Sequence, residues 1–182
     1  GEQSDIEYAN MLIRHLEIKS YTMNIREVVT GINNQFPDDI KISDQTTINL
    51  PARIRMATLY AISQSLNGRV VNTCNMSESY VGFDTRYGDS AGDLSPLANL
   101  TKTEVIALAK ELGLPDELVH KTPQDGLTGL TDEQSFGFSY AELDSYIRDG
   151  IEPSEAVKAK IDSMHEKNLF KLQPMPSFVY QA

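Results

Sequence analysis

Residues 70–102 have the sequence VVNTCNMSESYVGFDTRYGDSAGDLSPLANLTK, in which a strand-like opening leads into charged side chains and glycines. The opening belongs to the run RVVNTC at 69–74, whose β-branched residues favour a strand. In an open parallel α/β sheet, ligands bind beyond the carboxyl ends of the strands. We therefore expect the residues that follow Cys74 to line a ligand site.

Helical patterns flank this stretch on both sides. Thr101 and Glu104 form a predicted capping box, as do Ser139 and Glu142. Pro51 is expected in the first turn of its helix, where its missing N–H does no harm. The predicted helices cover 4–17, 26–36, 51–68, 101–113, the segment from Ser139 to Gly150, and 153–168, the last capped by Ser154.

Helices that alternate with short strands, here 20–25 and 69–74, predict an α/β fold with a parallel sheet flanked by helices. Two strands are too few for a complete sheet of this kind. The sequence therefore predicts that part of the sheet is missing from the chain.

Length and charge narrow the class of protein. A chain of 182 residues suits one domain over 1–182, and 40% hydrophobic with 23% charged residues is ordinary for a globular protein. The net charge of −10 disfavours a nucleic-acid partner. No apolar run approaches the roughly 18 residues needed to cross a bilayer, so no membrane partner is expected. The single cysteine excludes an internal disulfide and fits a reducing cytoplasm.

Two charged residues in the opening stretch suit a nucleotide. Glu78 is a hard carboxylate of the kind that binds Mg²⁺. Lys102 lies in the first turn of a helix, where a cation opposes the helix dipole unless an anion occupies the same helix end. Taken alone, each residue is more often a solvated surface side chain. Composition and spacing alone thus predict an anion or nucleotide site.

No catalytic residue is assigned, because His15, His120 and His165 lack metal-ligand spacing and no nucleophile arrangement is visible.

Four patterns, in this order, resemble the NAD synthetase family: ARxRM, NxSE, YGDxxxDxxPLxxLTK and DGLxGxTDE. The resemblance covers most of the chain. It implies an adenine-nucleotide α-hydrolase-like fold, related to the Rossmann arrangement, and a homodimer. It also implies a reaction in which ATP adenylates deamido-NAD (nicotinic acid adenine dinucleotide) and ammonia then displaces AMP to give NAD. The apolar face of Ile54, Leu59 and Ile62 fits either the dimer contact or packing within the subunit.

The resemblance also implies the roles of individual residues. By position, Glu78 matches the family's Mg²⁺ ligand. The residues matched to ATP contacts are Thr73, Lys102 and Gln124. The residues matched to deamido-NAD contacts are Arg53, Arg86, Asp93 and Lys171. Three positions depart from the family pattern: Arg86 replaces a lysine, Gln124 replaces a threonine or serine, and Phe170 precedes Lys171 where the family has histidine.

The family's pyrophosphate loop, Ser-Gly-Gly-x-Asp-Ser, does not occur in these 182 residues. We therefore expect a chain that lacks its N-terminal strand and phosphate loop, and that adenylates its substrate weakly or not at all. Two alternatives stay open. One is another ATP pyrophosphatase, such as a GMP synthetase-like domain, and the other is a non-catalytic nucleotide-binding dimer scaffold.

Overall fold

A computed structural model of the chain describes residues 3–124 and 129–180. Residues 125–128, which begin the pattern DGLxGxTDE, lie outside the described residues. The described part contains nine helices and no strand. The helices are α1 Gln3–Leu16, α2 Arg26–Asn33, α3 Asp44–Ser65, α4 Met76–Val81, α5 Lys102–Glu111, α6 Asp116–Val119, α7 Asp132–Phe136, α8 Tyr140–Asp149 and α9 Glu155–Leu172.

Both predicted capping boxes are confirmed. The N–H of Thr101 donates to Glu104 Oε2 over 2.7 Å, and the N–H of Glu104 donates to the hydroxyl of Thr101 over 3.3 Å. Ser139 and Glu142 form the same reciprocal pair at the start of α8. Ser154 caps α9, as predicted. Local side-chain-to-backbone bonds therefore fix where these helices begin.

Helix α3 begins seven residues before its predicted start, and the placement of Pro51 in a first turn was wrong. Ser43 is the N-cap, because its hydroxyl accepts from the N–H of Thr46 over 3.1 Å. Pro51 consequently lies inside the helix, where it removes one backbone hydrogen bond. The helix ends at Ser65 rather than 68. The upstream cap therefore outweighs the proline signal.

The two predicted strands do not form in the described part of the chain. Residues 20–25 make no β-bridge, and 69–74 make one parallel bridge, between Val71 and Leu94. The run 69–74 nevertheless keeps a strand-like alternation, since Val70 is buried while Val71 is 49% exposed. A strand is assigned only where a partner continues the ladder, and here the partner segment contributes a single residue pair. The prediction of a parallel sheet is therefore corrected to one isolated bridge.

The core lies between α4, α7, α8 and α9. Phe136, Leu143, Ile161 and Val81 are fully buried in one cluster. The ring of Phe136 packs edge-on against Tyr140, with centroids 5.4 Å apart. This cluster fixes α4 and the end of α9 relative to each other, and both helices carry candidate site residues.

Apolar side chains are exposed along α1 to α3 and at the end of the chain. They include Ile6, Leu16, Val28, Ile48, Leu59, Phe178 and Tyr180. In the ranges described, none of the helices combines the length and the hydropathy that a membrane crossing requires.

Candidate functional site

The larger of two adjoining clefts holds most of the predicted substrate contacts. Its volume is about 620 Å³, and its walls come from α3, the segment after 69–74 and the end of α9. Of the residues matched to ligand contacts, Arg53, Thr73, Glu78, Arg86, Gln124 and Lys171 line it. The fold therefore gathers into one cleft residues that lie more than 100 positions apart in the sequence.

Two arginines give this cleft a positive wall. The Nε of Arg53 donates to the backbone oxygen of Arg86 over 3.2 Å. The guanidinium of Arg86 lies over the rings of Tyr87 and Phe170, at 5.1 Å and 5.4 Å from their centroids. Within the described residues, neither guanidinium is within ion-pair distance of an Asp or Glu. In a chain of net charge −10, these cations are suited to a phosphate-bearing ligand.

Lys171 is engaged by the protein itself. Its Nζ donates to the backbone oxygens of Gly82 and Asp84, over 2.6 Å and 2.7 Å. The carboxylate of Asp84 lies 3.5 Å from the same ammonium. Burial raises the pKa of Asp84 above its ordinary value, and the positive charge of Lys171 acts in the opposite direction. Lys171 thus holds the end of α9 against the loop after α4, and its substrate contact stays a prediction.

A smaller cleft of about 310 Å³ adjoins the first. One wall is apolar and consists of Val105, Ile106, Ala109, Leu118 and Val119. Lys102 and Lys121 supply cations, and Glu78, Gln124 and Asp132 line both clefts. An apolar wall beside two cations matches the needs of a base with attached phosphates. The two clefts meet at Glu78.

Glu78 and Lys102 form an ion pair where the clefts meet. The distance between Glu78 Oε1 and Lys102 Nζ is 2.9 Å. The other carboxylate oxygen, Oε2, accepts from the N–H of Asn75 over 3.2 Å and completes a capping box for α4. The two side chains are 17% and 19% exposed, so a ligand can reach both.

The anion at the start of α5 is a protein carboxylate. The N–H of Thr103 donates to Asp144 Oδ2 over 2.8 Å, and the N–H of Lys102 donates to the hydroxyl of Ser77 over 2.9 Å. The N–H of Glu104 is capped by Thr101. All three first-turn N–H groups are therefore satisfied internally, and Asp144 balances the dipole beside Lys102. A phosphate at this place would contact the Lys102 side chain rather than the helix end.

Two of the predicted contacts are placed differently from the rest. Thr73, matched to ATP, lines the larger cleft and not the smaller one. Asp93, matched to deamido-NAD, lines neither cleft. Its Oδ2 accepts from the N–H of Val70 over 2.7 Å, and its own N–H donates to the oxygen of Val70. Asp93 therefore stabilises the isolated bridge, and its ligand contact stays a prediction.

Cys74 lies beside the larger cleft as an unreactive thiol. Burial, followed by the negative charge of Asp89, raises the pKa of Cys74 to about 12. Its Sγ contacts the backbone oxygen of Asp89 at 3.4 Å. The thiol is thus held in its protonated form at neutral pH.

The sequence interpretation assigned no individual role to several residues that line the larger cleft, among them Arg55, Asp84, Tyr87 and Asp132. Asp132 is buried, and its Oδ2 accepts from the hydroxyl of Tyr140 over 2.8 Å. Burial, and then the charges of Glu78 and Asp132, raise the pKa of that hydroxyl. A signal for Asp132 was available, because TDEQ at 131–134 is a capping-box pattern.

Comparison with known proteins supports the family resemblance that the sequence patterns indicate. The family model described as NAD synthase matches residues 1–176. The NH3-dependent NAD+ synthetase of Carboxydothermus hydrogenoformans is 36% identical over an alignment of 174 residues that covers 91% of this chain and 71% of that protein. Seven other curated NH3-dependent relatives are matched over 56% to 69% of their length, so the chain spans between about half and about two thirds of such proteins.

Solved structures of synthetases superpose on this chain. The NMN synthetase of Francisella tularensis superposes with a TM-score of 0.90 at 32% identity, over 98% of this chain and 74% of that one. The NH3-dependent NAD synthetase of Campylobacter jejuni, in complex with a nitrate ion, gives 0.75 at 27% identity, over 99% and 73%. The expected resemblance in fold is therefore confirmed, although the described residues contain no strand. The chain belongs to the NAD synthase family.

Proposed function

We propose that the protein catalyses the ATP-dependent amidation of deamido-NAD to NAD, with ammonia as the nitrogen donor. The observation that carries the proposal is the meeting of two chemically different clefts at Glu78 and Lys102. A reaction that joins a carboxylate to the α-phosphorus of ATP requires two binding sites that share a border, and the border must carry groups that bind phosphate.

The matched residues separate between the clefts in the way that the reaction needs. Arg53, Arg86 and Lys171 line only the larger cleft, where a dinucleotide diphosphate would find two guanidinium groups that ion-pair with no Asp or Glu among the described residues. Lys102 lines only the smaller cleft, whose apolar wall suits the adenine of ATP. Thr73 is the exception, because it lines the larger cleft despite its match to an ATP contact.

The chemistry proceeds in two balanced steps. A carboxylate oxygen of deamido-NAD attacks the α-phosphorus of ATP, and pyrophosphate leaves. Ammonia then attacks the acyl carbon, AMP leaves with that carboxylate oxygen, and the nitrogen loses a proton. The Lys102 ammonium stabilises the charge on the departing phosphates, and the arginines hold the acyl substrate in place. Without adenylation the carboxylate oxygen is a poor leaving group.

Glu78 is suited to hold Mg²⁺ with the phosphates. Mg²⁺ in phosphoryl-transfer sites is bound by one or two carboxylates together with phosphate oxygens and waters. Among the described residues there is no group of three His, Cys, Asp or Glu side chains able to hold a metal alone. A single accessible carboxylate at the border of the clefts fits the first arrangement. The ion would supply charge neutralisation for the phosphates.

A second candidate substrate is the mononucleotide counterpart, nicotinic acid mononucleotide. The superposition with the NMN synthetase of Francisella tularensis, at a TM-score of 0.90, favours it. The same cleft and the same arginines could bind the mononucleotide, since both substrates present a pyridine carboxylate and phosphate. The curated relatives that are 36% identical are named NAD+ synthetases, which favours the dinucleotide.

We propose that the protein forms a homodimer through α1 to α3. Leu59 on α3 is 43% exposed, and exposed apolar side chains continue along α1 and α2. Exposed apolar side chains on three helices supply the kind of surface that an interface between subunits would bury. Sedimentation equilibrium would give twice the chain mass if this is correct, whereas the mass of one chain would reject it.

The test of the reaction uses the protein expressed from the complete reading frame that encodes this chain. It is supplied with MgATP, ammonium and either deamido-NAD or nicotinic acid mononucleotide. We expect NAD formation with a higher kcat/KM than NMN formation, and no product when ATP is omitted. The reverse preference supports the mononucleotide. Absence of product with both substrates, in a preparation that binds nucleotide, supports the non-catalytic scaffold.

A further inference from the structure

One buried carboxylate outside the clefts ties three helices together beside the ion pair. The carboxylate belongs to Asp144 on α8. Its Oδ1 accepts from the hydroxyl of Ser77 on α4, and its Oδ2 accepts from both the N–H and the hydroxyl of Thr103 on α5, over 2.8 Å and 2.7 Å. The Ser77 hydroxyl in turn accepts from the N–H of Lys102 over 2.9 Å.

The burial of this network makes it rigid. Ser77 is fully buried and Asp144 is 4% exposed. A charged carboxylate out of contact with water is stable only when donors satisfy it, and here both oxygens are satisfied by three donors. Loss of the Ser77 hydroxyl would leave Oδ1 of Asp144 without this donor, and Oδ2 is held by two donors of Thr103, so the three helices resist relative movement at this point.

The network holds the residues next to Glu78 and Lys102. Ser77 precedes Glu78 on α4, and the Lys102 backbone donates to Ser77 while its side chain pairs with Glu78. In the proposed reaction, Lys102 turns to phosphate and Glu78 to the metal, so their ion pair has to open. The ion pair cannot then hold α4 against α5, whereas the buried network remains intact.

We propose that Asp144, acting through Ser77 and Thr103, is a positioning residue that sets the separation of Glu78 and Lys102 for MgATP. This inference rests on the proposed function, because it assumes that the two side chains bind the nucleotide and its metal. Asp144 itself contacts neither cleft.

The experiment measures MgATP binding and deamido-NAD binding separately, by calorimetry on the protein from the complete reading frame. The variants are Asp144→Asn, which cannot accept from both hydroxyls, and Ser77→Ala, which removes one link. The control is Tyr146→Phe on the same helix, which loses a 2.9 Å bond to Asp162. That bond joins α8 to α9 away from the ion pair.

We expect both test variants to bind MgATP at least about tenfold more weakly, as expected for a misplaced charge-assisted contact. Their affinity for deamido-NAD should stay within about twofold of the wild type, and so should both affinities of the control. Equal losses for the two ligands, or a MgATP affinity that matches the control, would overturn the inference. If Asp144→Asn does not fold, the affinities of Ser77→Ala alone decide whether the inference holds.

The same experiment separates the two proposals. Wild-type protein that binds MgATP but forms no NAD overturns the proposed reaction, while the comparison of variants still decides the role of Asp144. Wild-type protein that binds no MgATP overturns both.

Discussion

Glu78 and Lys102 form an ion pair of 2.9 Å where the two clefts meet, and Glu78 is one of three described residues that line both clefts. Glu78 is the third residue of α4, and Lys102 is the first residue of α5. Both side chains keep some exposure, so the pair can exchange its partners for ligand groups. In this arrangement the carboxylate is available to bind a metal ion and the ammonium is available to bind phosphate.

Arg86 should determine affinity for the acyl substrate. Arg86→Ala removes the guanidinium and its contacts with Tyr87 and Phe170, so we expect the KM for deamido-NAD to rise at least about tenfold. Arg86→Lys keeps the charge but loses the planar fork, and should give an intermediate KM. The control is Arg69→Ala, because Arg69 donates to the neighbouring Gly68 oxygen outside the clefts. Equal KM values in steady-state assays of all three variants would contradict the assignment.

Gly82 should be far less replaceable than Gly113, although both adopt positive φ, +69° and +71°. A Cβ at Gly82 would lie 2.1 Å from the side chain of Asn168, whereas nothing lies within 4 Å at Gly113. We expect Gly113→Ala to lower the free energy of unfolding by about 1 kcal/mol and Gly82→Ala by about 2–4 kcal/mol.

The larger loss arises because Asn168 would have to give up its bonds to the oxygens of Val81 and Met164, at 3.2 Å and 2.8 Å. Urea denaturation of the two variants beside the wild type measures both values. Similar urea midpoints for the two variants would show that α9 moves aside at little cost in free energy.

Cys74 should resist alkylation in the folded protein. Its pKa is raised from 9.0 to about 12, so the thiolate fraction at pH 8 falls about 1,000-fold relative to an ordinary thiol. Because pH 8 lies below both values, the rate with iodoacetamide should rise about tenfold for each unit of pH up to about 12. Mass spectrometry follows the modification, with protein in guanidinium chloride as the fast control. Labelling of the folded protein at the control rate would refute the burial of the thiol.

Helix positions were predictable where the signal is local. The boxes at Thr101 and Ser139 satisfy first-turn N–H groups from within four residues, so their sequence pattern is enough. A capping box also starts α4 at Asn75, but no helix was predicted there, because these residues were interpreted only as a ligand site. The strand predicted at 69–74 does not form in the described part of the chain, because a strand requires a partner that continues the ladder, and the local residues do not encode that partner.

The candidate site was predictable in its membership but not in its geometry. The family resemblance placed Arg53 and Arg86 in one site, yet their contact crosses 33 positions and depends on how α3 packs. Nothing in the local pattern around Asp144 indicates that it caps α5, because that bond spans 41 residues. Long-range hydrogen bonds are properties of the fold, and sequence spacing does not encode them.

The most direct test of the account measures NAD formation by the wild type, Glu78→Gln and Glu104→Gln from the complete reading frame, with deamido-NAD, MgATP and ammonium. Glu104 is the matched control, since it too is the third residue of a capped helix and ion-pairs with a cation, Arg148. Glutamine preserves both capping boxes. We expect Glu78→Gln to lower kcat/KM at least about 100-fold, because phosphate charge is no longer neutralised, and Glu104→Gln to change it less than about twofold. Equal activities of the two variants would contradict the placement of the reaction at Glu78.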